Sequence, residues 1–507
     1  MSTNRLFSVL PLIGFLTLFK FIRFQRIALF VLLLVLSVLP SVGSAHAQDG
    51  TPLCVWTTPI NLSQSPDLDT TFGQIIGDPF GQVHAFWGEE FTNEALDTGY
   101  YVAYRRWDGI EWSSVFDVLV SPKNGWLSIA QIALSQDASW LYMVWQTNQG
   151  TNFSAVPLMG ASDARAWHTT KLADGPSERP TIFSDSEDQI HVLYVDNHRL
   201  LNHVVSGDHG ESWSNSVQVW NTQNDSQVIL TPYLTGTQSG ALHAVWAVGV
   251  EEIQWQPSGI RYSRSDDGGI TWSSPFAFEE YRGGNPALFE DGDNVAHLFW
   301  NGPAGSINGR FYSWSEDRGN TWAPMKWLNG YIGGMAGTPT LLTDSTGKLI
   351  VMQVVTLASD PSHQVAIAAY LYDQDLGVPS QIPGSSGDWP AFAITGGHQL
   401  HALLWTQGKP AEVLYSTCTL RAPSVPFRPL PKAYSTHVSI ATLESTTAGL
   451  TATLEPKEAP KTPPINTQLP QRGPTSAISS ILIGIFPAGL LVALAIGYSL
   501  SRSRQRR

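Results

Sequence analysis

Seven stretches of the chain share one pattern of apolar and polar positions. GQVHAFW ends at Trp87, SWLYMVW at Trp145, DQIHVLY at Tyr194, GALHAVW at Trp246, NVAHLFW at Trp300, GKLIVMQ at Gln353 and QLHALLW at Trp405. Each is a short run rich in β-branched and aromatic residues that opens on a small or polar residue, which predicts strands and not helices. Their ends are 58, 49, 52, 54, 53 and 52 residues apart. A second element follows, with its tryptophan at Trp112, Trp167, Trp213, Trp272 and Trp322, and a proline marks most strand starts (ERPTIF, LTPYL, GNPALF, GTPTLL, DWPAFA). Each unit thus supplies about four short strands. A period near 50 with four strands per unit predicts an all-β propeller of about seven blades over residues 50–420.

The last unit is short of a strand: after QLHALLW only EVLYSTCTL (412–420) remains. The segment LCVWTTPINLS (53–63) resembles the outermost strands ITWSSPFAFEE and NTWAPMKWLNG, yet no inner strand precedes it. It is expected to close the final blade, since a ring leaves no edge unpaired. The chain's two cysteines, Cys54 and Cys418, fall one in each strand of this closing pair and are expected to form a disulfide. Unit two (Ser128–Ala173) lacks the turn motif of its neighbours, so six blades with an insertion and seven blades both remain open.

Outside the repeat the pattern changes. An apolar run, IALFVLLLVLSVL, follows four basic residues and precedes Ala45-His46-Ala47, which predicts a signal peptide over 1–47, with an uncleaved anchor as the alternative. Residues 421–476 are rich in Pro, Thr and Ser and read as an extended stalk. Residues 478–500 carry no charge and are long enough for a transmembrane helix, and the arginines of the tail 501–507 predict that it stays cytoplasmic. The expected location is the cell membrane, single-pass, with the propeller outside. A formal net charge of −13 argues against a nucleic-acid partner.

Three units carry Ser-x-Asp-x-Gly-x-Ser/Thr-Trp: Ser206, Asp208, Gly210 and Trp213; Ser265, Asp267, Gly269 and Trp272; Ser315, Asp317, Gly319 and Trp322. A degraded copy is YRRWDGIEW (104–112). The motif falls between third and fourth strands, where the Asp can accept bonds from its own turn and the Gly can take positive φ. It offers too few oxygen ligands for calcium. These residues resemble the Asp-box, or BNR repeat, of the sialidase-like propellers. The resemblance implies a structural hairpin clasp with the tryptophan packed between blades. It also implies a site built from three arginines on a sugar carboxylate, a Tyr–Glu nucleophile pair and an Asp acid/base. The family's Phe/Tyr-Arg-Ile-Pro motif is absent. Arg105 and Arg106 fall on the box side, and only Arg179 and Arg282 stand at inner-strand starts.

Function is expected on the opposite face, where the strand 2–3 and 4–1 connections vary in length. That face carries Glu89, Glu90, Glu178, Asp196, Glu251 and Glu252, with Arg179 and Arg282, and flat aromatics at Trp126, Trp255, Tyr281 and Trp389. Paired carboxylates and aromatic platforms suit carbohydrate. Glu251, Glu252, Glu89, Arg179, Arg282 and Tyr281 are the catalytic candidates, and Trp126, Trp255 and Trp389 the ligand-binding ones. The strand histidines His84, His191, His243, His297 and His401 share one register and are read as packing or hydrogen bonding, not metal ligation. No cofactor is implied. The expected function is extracellular recognition of a glycan or a cell-surface protein. The alternative is an exo-glycosidase of sialidase type.

Overall fold

The computed structural model describes residues 52–430, apart from 93–96, 176, 223, 225, 238–239, 252–255, 279–282, 305–306, 329–330, 333–336, 358–359, 373, 385–388 and 407. The predicted signal peptide, transmembrane helix, basic tail and all of the stalk beyond residue 430 lie outside the described residues. Among those described, no helix is long and apolar enough to cross a membrane.

The described strands form seven antiparallel sheets. Blade 1 runs Thr70–Gly77, Val83–Thr92, Thr98–Trp107 and Phe116–Val120 from axis to rim. Blade 3 (Thr181–Ser184, Ile190–Asp196, Leu200–Ser206, Val217–Asn221), blade 4 (Gln227–Gly236, Leu242–Val250, Gln256–Ser265, Phe276–Phe278) and blade 5 (Gly284–Glu290, Ala296–Ala304, Ile307–Ser315, Lys326–Trp327) repeat this order. Blade 6 is built on Thr340–Thr343, Leu349–Leu357 and Asp360–Tyr372, with short added pairings that make six strands. Inner strands of successive blades touch all the way round, from blade 7 back to blade 1.

Unit two is a blade and not an insertion: Leu127–Leu134, Trp140–Thr147, Gly150–Pro157 and His168–Asp174 make a regular four-stranded sheet. Two 3-10 turns, Leu158–Gly160 and Ala164–Ala166, stand where its neighbours have a box, and Trp167 Nε1 donates to the Ala161 carbonyl at 3.1 Å. Seven blades is therefore the count among the described residues.

Blade 7 closes as the sequence predicts. Ala391–Thr395, Gln399–Trp405 and Val413–Thr419 are completed by Ile60–Asn61, which pairs with Tyr415 and Leu414. Trp56 bridges to Cys418, and Cys54 and Cys418 are joined by a disulfide. Beyond the ring the chain does not leave at once. Val425 N donates to the Gly396 carbonyl and Arg428 N to that of Pro79, both at 2.8 Å, so residues 421–430 cross the strand 1–2 turns of blades 7 and 1. The first ten residues assigned to the stalk therefore lie against the propeller.

The hydrophobic clusters lie between blades. One joins Phe86, Val102 and Tyr104 of blade 1 to Ile129, Met143 and Trp145 of blade 2; another joins Phe299 and Tyr312 of blade 5 to Val351, Val355 and Ile367 of blade 6. Each sheet is sandwiched by two others, so its middle strands are buried on both faces. That is why Val83–Trp87 and Leu242–Val248 read as continuous apolar runs.

The strand histidines belong to a second repeated clasp. His84, His243, His297 and His401 each place Nδ1 2.7–2.9 Å from a third-strand tyrosine hydroxyl, on Tyr104, Tyr262, Tyr312 and Tyr415 respectively. Six residues before the histidine stands the residue that caps the strand 1–2 turn. Asp78, Asp185 and Asp291 take two backbone N–H groups each on Oδ1 and face the histidine with Oδ2 at 3.1–3.3 Å. Blade 3 departs from the rule, with His203 in the tyrosine position 3.1 Å from His191.

The boxes are hairpin clasps. In each, the Ser hydroxyl donates to the Asp and accepts the Gly N–H, and the Asp accepts the N–H four residues on, at 2.7–2.9 Å throughout. The hydrogen bonds from Ser212 and Thr321 hold the carboxyls of Asp208 and Asp317 down at about 2. Trp213, Trp272 and Trp322 stand edge-on to Phe153, His203 and Tyr262 of the preceding blade, with centroids 4.9, 5.5 and 5.0 Å apart.

The adjacent glycines of the second box separate two effects. Both have positive φ (+69° and +89°), but a Cβ on Gly268 meets nothing within 4 Å, whereas one on Gly269 comes 2.1 Å from His203 Cε1. Gly268→Ala is expected to cost about 1 kcal/mol, from backbone strain alone, and Gly269→Ala about 3 kcal/mol or more, because the blade 3–4 seam must also open. Urea unfolding of the two variants checks this; equal losses would contradict the seam contact.

Candidate functional site

The inner strands have one edge paired and one edge facing the axis. Unpaired N–H groups there would be exposed to the channel, and proline removes that donor. Pro180, Pro232, Pro339 and Pro390 accordingly line an axial cavity of about 430 Å³, within the range of small-molecule sites. The residue before each of these prolines reaches the cavity: Arg179, Thr231, Thr338 and Trp389.

Thr231 (φ 41°) and Trp389 (φ 61°) are left-handed, a conformation disfavoured for any bulky residue and most of all before proline. Inner-strand pairing in blades 1, 2, 4 and 5 is also interrupted by a register shift at this level. The shifts turn polar side chains along the ring. Gln74 Nε2 donates to the Ala130 carbonyl at 3.1 Å, Thr181 Oγ1 to Gln131 Oε1 at 2.6 Å, Leu234 N to Thr181 Oγ1 at 3.2 Å and Asn285 N to Thr231 Oγ1 at 3.1 Å. Five successive blades are stitched in this way, so the wall is rigid.

Within the cavity the Arg179 guanidinium lies 4.6 Å from the Trp389 ring centroid. Burial lowers its pKa to about 10, against the opposing pull of Glu178, so it stays charged at neutral pH. Tyr233 is pushed up to about 12 by burial and is therefore a neutral phenol. Gln353 lines the wall, and neither of its side-chain polar atoms is hydrogen-bonded among the described residues. No aspartate or glutamate is among the described lining residues.

No family model and no curated protein matches the chain. Solved structures align with it at low identity. A protein of unknown function from Dyadobacter fermentans is 12% identical, over 73% of this chain and 100% of that one, with a TM-score of 0.46. The NanB sialidase from Streptococcus pneumoniae is 11% identical, over 72% and 70%, at 0.41. An ulvan lyase of polysaccharide lyase family 25 is 10% identical, over 68% and 93%, at 0.46. These are likenesses of fold, and nothing about chemistry follows from them.

The residues singled out in the sequence do not converge. Arg179 and Trp389 meet in the cavity. Glu89 does not: it is 2% exposed, and its Oε1 accepts Ser65 Oγ at 2.6 Å and Trp87 Nε1 at 3.0 Å, so it ties the N-terminal segment to blade 1. Glu251 is exposed just after the second strand of blade 4, paired with Arg199 at 3.2 Å. Glu178 stands 3.4 Å from His198. Trp126 is 43% exposed and is not among the lining residues. Glu252, Trp255, Tyr281 and Arg282 lie outside the described residues. Sequence reading missed Tyr233, Thr231, Thr338 and Gln353; for the first three the available signal was the X-Pro-X triplet that opens the inner strand.

Proposed function

We infer that this propeller recognises an anionic glycan, holding a carboxylate-bearing sugar in the axial cavity without hydrolysing it. The observation that carries this reading is the composition of the described wall: one cation, Arg179, beside the flat ring of Trp389, with Tyr233 elsewhere in the lining, and no carboxylate. A planar guanidinium suits a carboxylate, and aromatic faces suit the apolar side of a pyranose. Glycoside hydrolysis uses two carboxyl groups across the scissile bond, and a tyrosine nucleophile needs a neighbouring base. Neither accompanies Tyr233 among the described lining residues. The predicted export signal, stalk and anchor would set this recognition at the cell surface.

The test has two arms. The protein incubated with fluorogenic glycosides, a sialoside and a glucuronide among them, releases nothing above background. The same acidic sugars bind it directly, and Arg179→Met removes that binding while leaving the melting temperature near the wild-type value. Turnover abolished by changing Glu251, Glu252 or Arg179 would instead make the protein a glycosidase.

A further inference from the structure

Behind the cavity wall, the seam between blades 5 and 6 contains a buried charge. Strand alternation places Asn301 on the same side as Phe299, Arg310 on the same side as Tyr312, and Gln353 on the same side as Val351 and Val355; these apolar residues form the blade 5–6 core. Arg310 faces Asn301 across the strand pair and is 1% exposed. Its Nη2 donates to the carbonyls of Gly337 and Val354, both at the long distance of 3.4 Å, and Asn301 Nδ2 shares the Gly337 carbonyl at 3.4 Å. Nε and Nη1 of Arg310, Oδ1 of Asn301, and both polar atoms of Gln353 have no partner among the described residues.

A guanidinium does not escape this position by losing its proton: burial lowers its pKa to about 9, still above neutral, and no acidic neighbour contributes. Water could satisfy the N–H groups but not the charge. An uncompensated interior cation is strongly destabilising, and the unpaired N–H donors of Arg310 and of the Gln353 amide are groups that an anion would satisfy.

We propose that the blade 5–6 seam binds a halide-sized inorganic anion, held by Arg310 Nε and Nη1 with Gln353 Nε2 as a further donor. Arg310 is 1% exposed, which favours a small ion that sheds its water readily over a bulky organic acid. Gly337, Gln353 and Val354 also line the axial cavity, but Arg310 does not, and the proposal does not depend on the sugar reading. An anion bound only in the native state stabilises the fold by mass action.

The melting temperature of the full chain, at constant ionic strength, should therefore rise by several degrees as chloride replaces methanesulfonate from about 1 to about 100 mM. Arg310→Met should melt higher than the wild type in the halide-free buffer and show no chloride dependence. Bromide soaked into crystals of the wild type should give an anomalous peak beside Arg310, a readout that stands even where the variant does not fold. Equal melting in the two salts, a chloride response retained by Arg310→Met, or a seam without a bromide peak would each overturn the proposal.

Discussion

Reduction of the Cys54–Cys418 disulfide lowers the melting temperature of the propeller by roughly 5–8 °C. The bridge joins residues 364 apart in sequence, and the chain-entropy relation for so long a loop gives about 6 kcal/mol. A ring of this size has an unfolding entropy of roughly 0.8 kcal/mol per kelvin, which converts that loss to the stated shift. The structural reason for a large effect is position. The outer strand of blade 7 is only Ile60–Asn61, hydrogen-bonded to a strand more than 350 residues later. Without the bridge, only this short pairing and its neighbouring contacts hold the first and last segments together. Calorimetry with and without reductant measures the shift, and a Cys54→Ser/Cys418→Ser double variant should reproduce it and ignore reductant. Equal melting in both buffers would sink the clasp as a source of stability.

Acid is expected to unfold the protein well above the pH at which its exposed carboxyls titrate. Burial holds the imidazoles of His203 and His401 down at about 3, with His191 and His398 adding to the effect; the unfolded value is about 6.5. The folded-state value is the depressed one, so their contribution is fully present above about pH 6.5. It is lost progressively toward pH 3, because the unfolded chain binds protons that the folded chain refuses. Each histidine costs about 1.4 kcal/mol per pH unit over that window. The two together reach on the order of 10 kcal/mol, comparable with the whole stability of a typical fold. His203→Tyr restores the residue found at this place in blades 1, 4, 5 and 7 (Tyr104, Tyr262, Tyr312, Tyr415). It should shallow the acid slope by about half while leaving the pH 8 melting temperature close to that of the wild type. A wild-type melting temperature that stays flat from pH 7 to pH 4 would contradict the account.

The ring was legible because the second strand of every blade is buried on both faces, so GQVHAFW and its six relatives had to stay apolar and in register. Closure was legible because the last unit lacks an outer strand and the two segments left to complete it hold the chain's two cysteines, Cys54 and Cys418, which the disulfide joins. Blade 2 was ambiguous because its box is replaced by the 3-10 turns before Trp167, which do the same packing with different residues. The site was harder to read. The acidic candidates of the longer loops serve local contacts: Glu251 pairs with Arg199, and Glu89 is buried on Ser65 and Trp87. The cavity is instead lined by the strand starts, whose short X-Pro-X signal looked purely architectural. Arg310 was invisible for a related reason: an arginine five residues before a box reads as a surface strand residue, and only the packing of blade 6 against it shows the burial.

The proposed function requires Arg179 to make the axial cavity selective for anionic sugars. Isothermal titration of a uronic acid and its neutral parent sugar, on wild type and Arg179→Met, tests it most directly. The acid should bind the wild type about tenfold tighter or more, corresponding to about 1.4 kcal/mol or more, and Arg179→Met should abolish the difference. Equal binding of acid and neutral sugar by the wild type, or an acid preference that survives in Arg179→Met, would contradict the account.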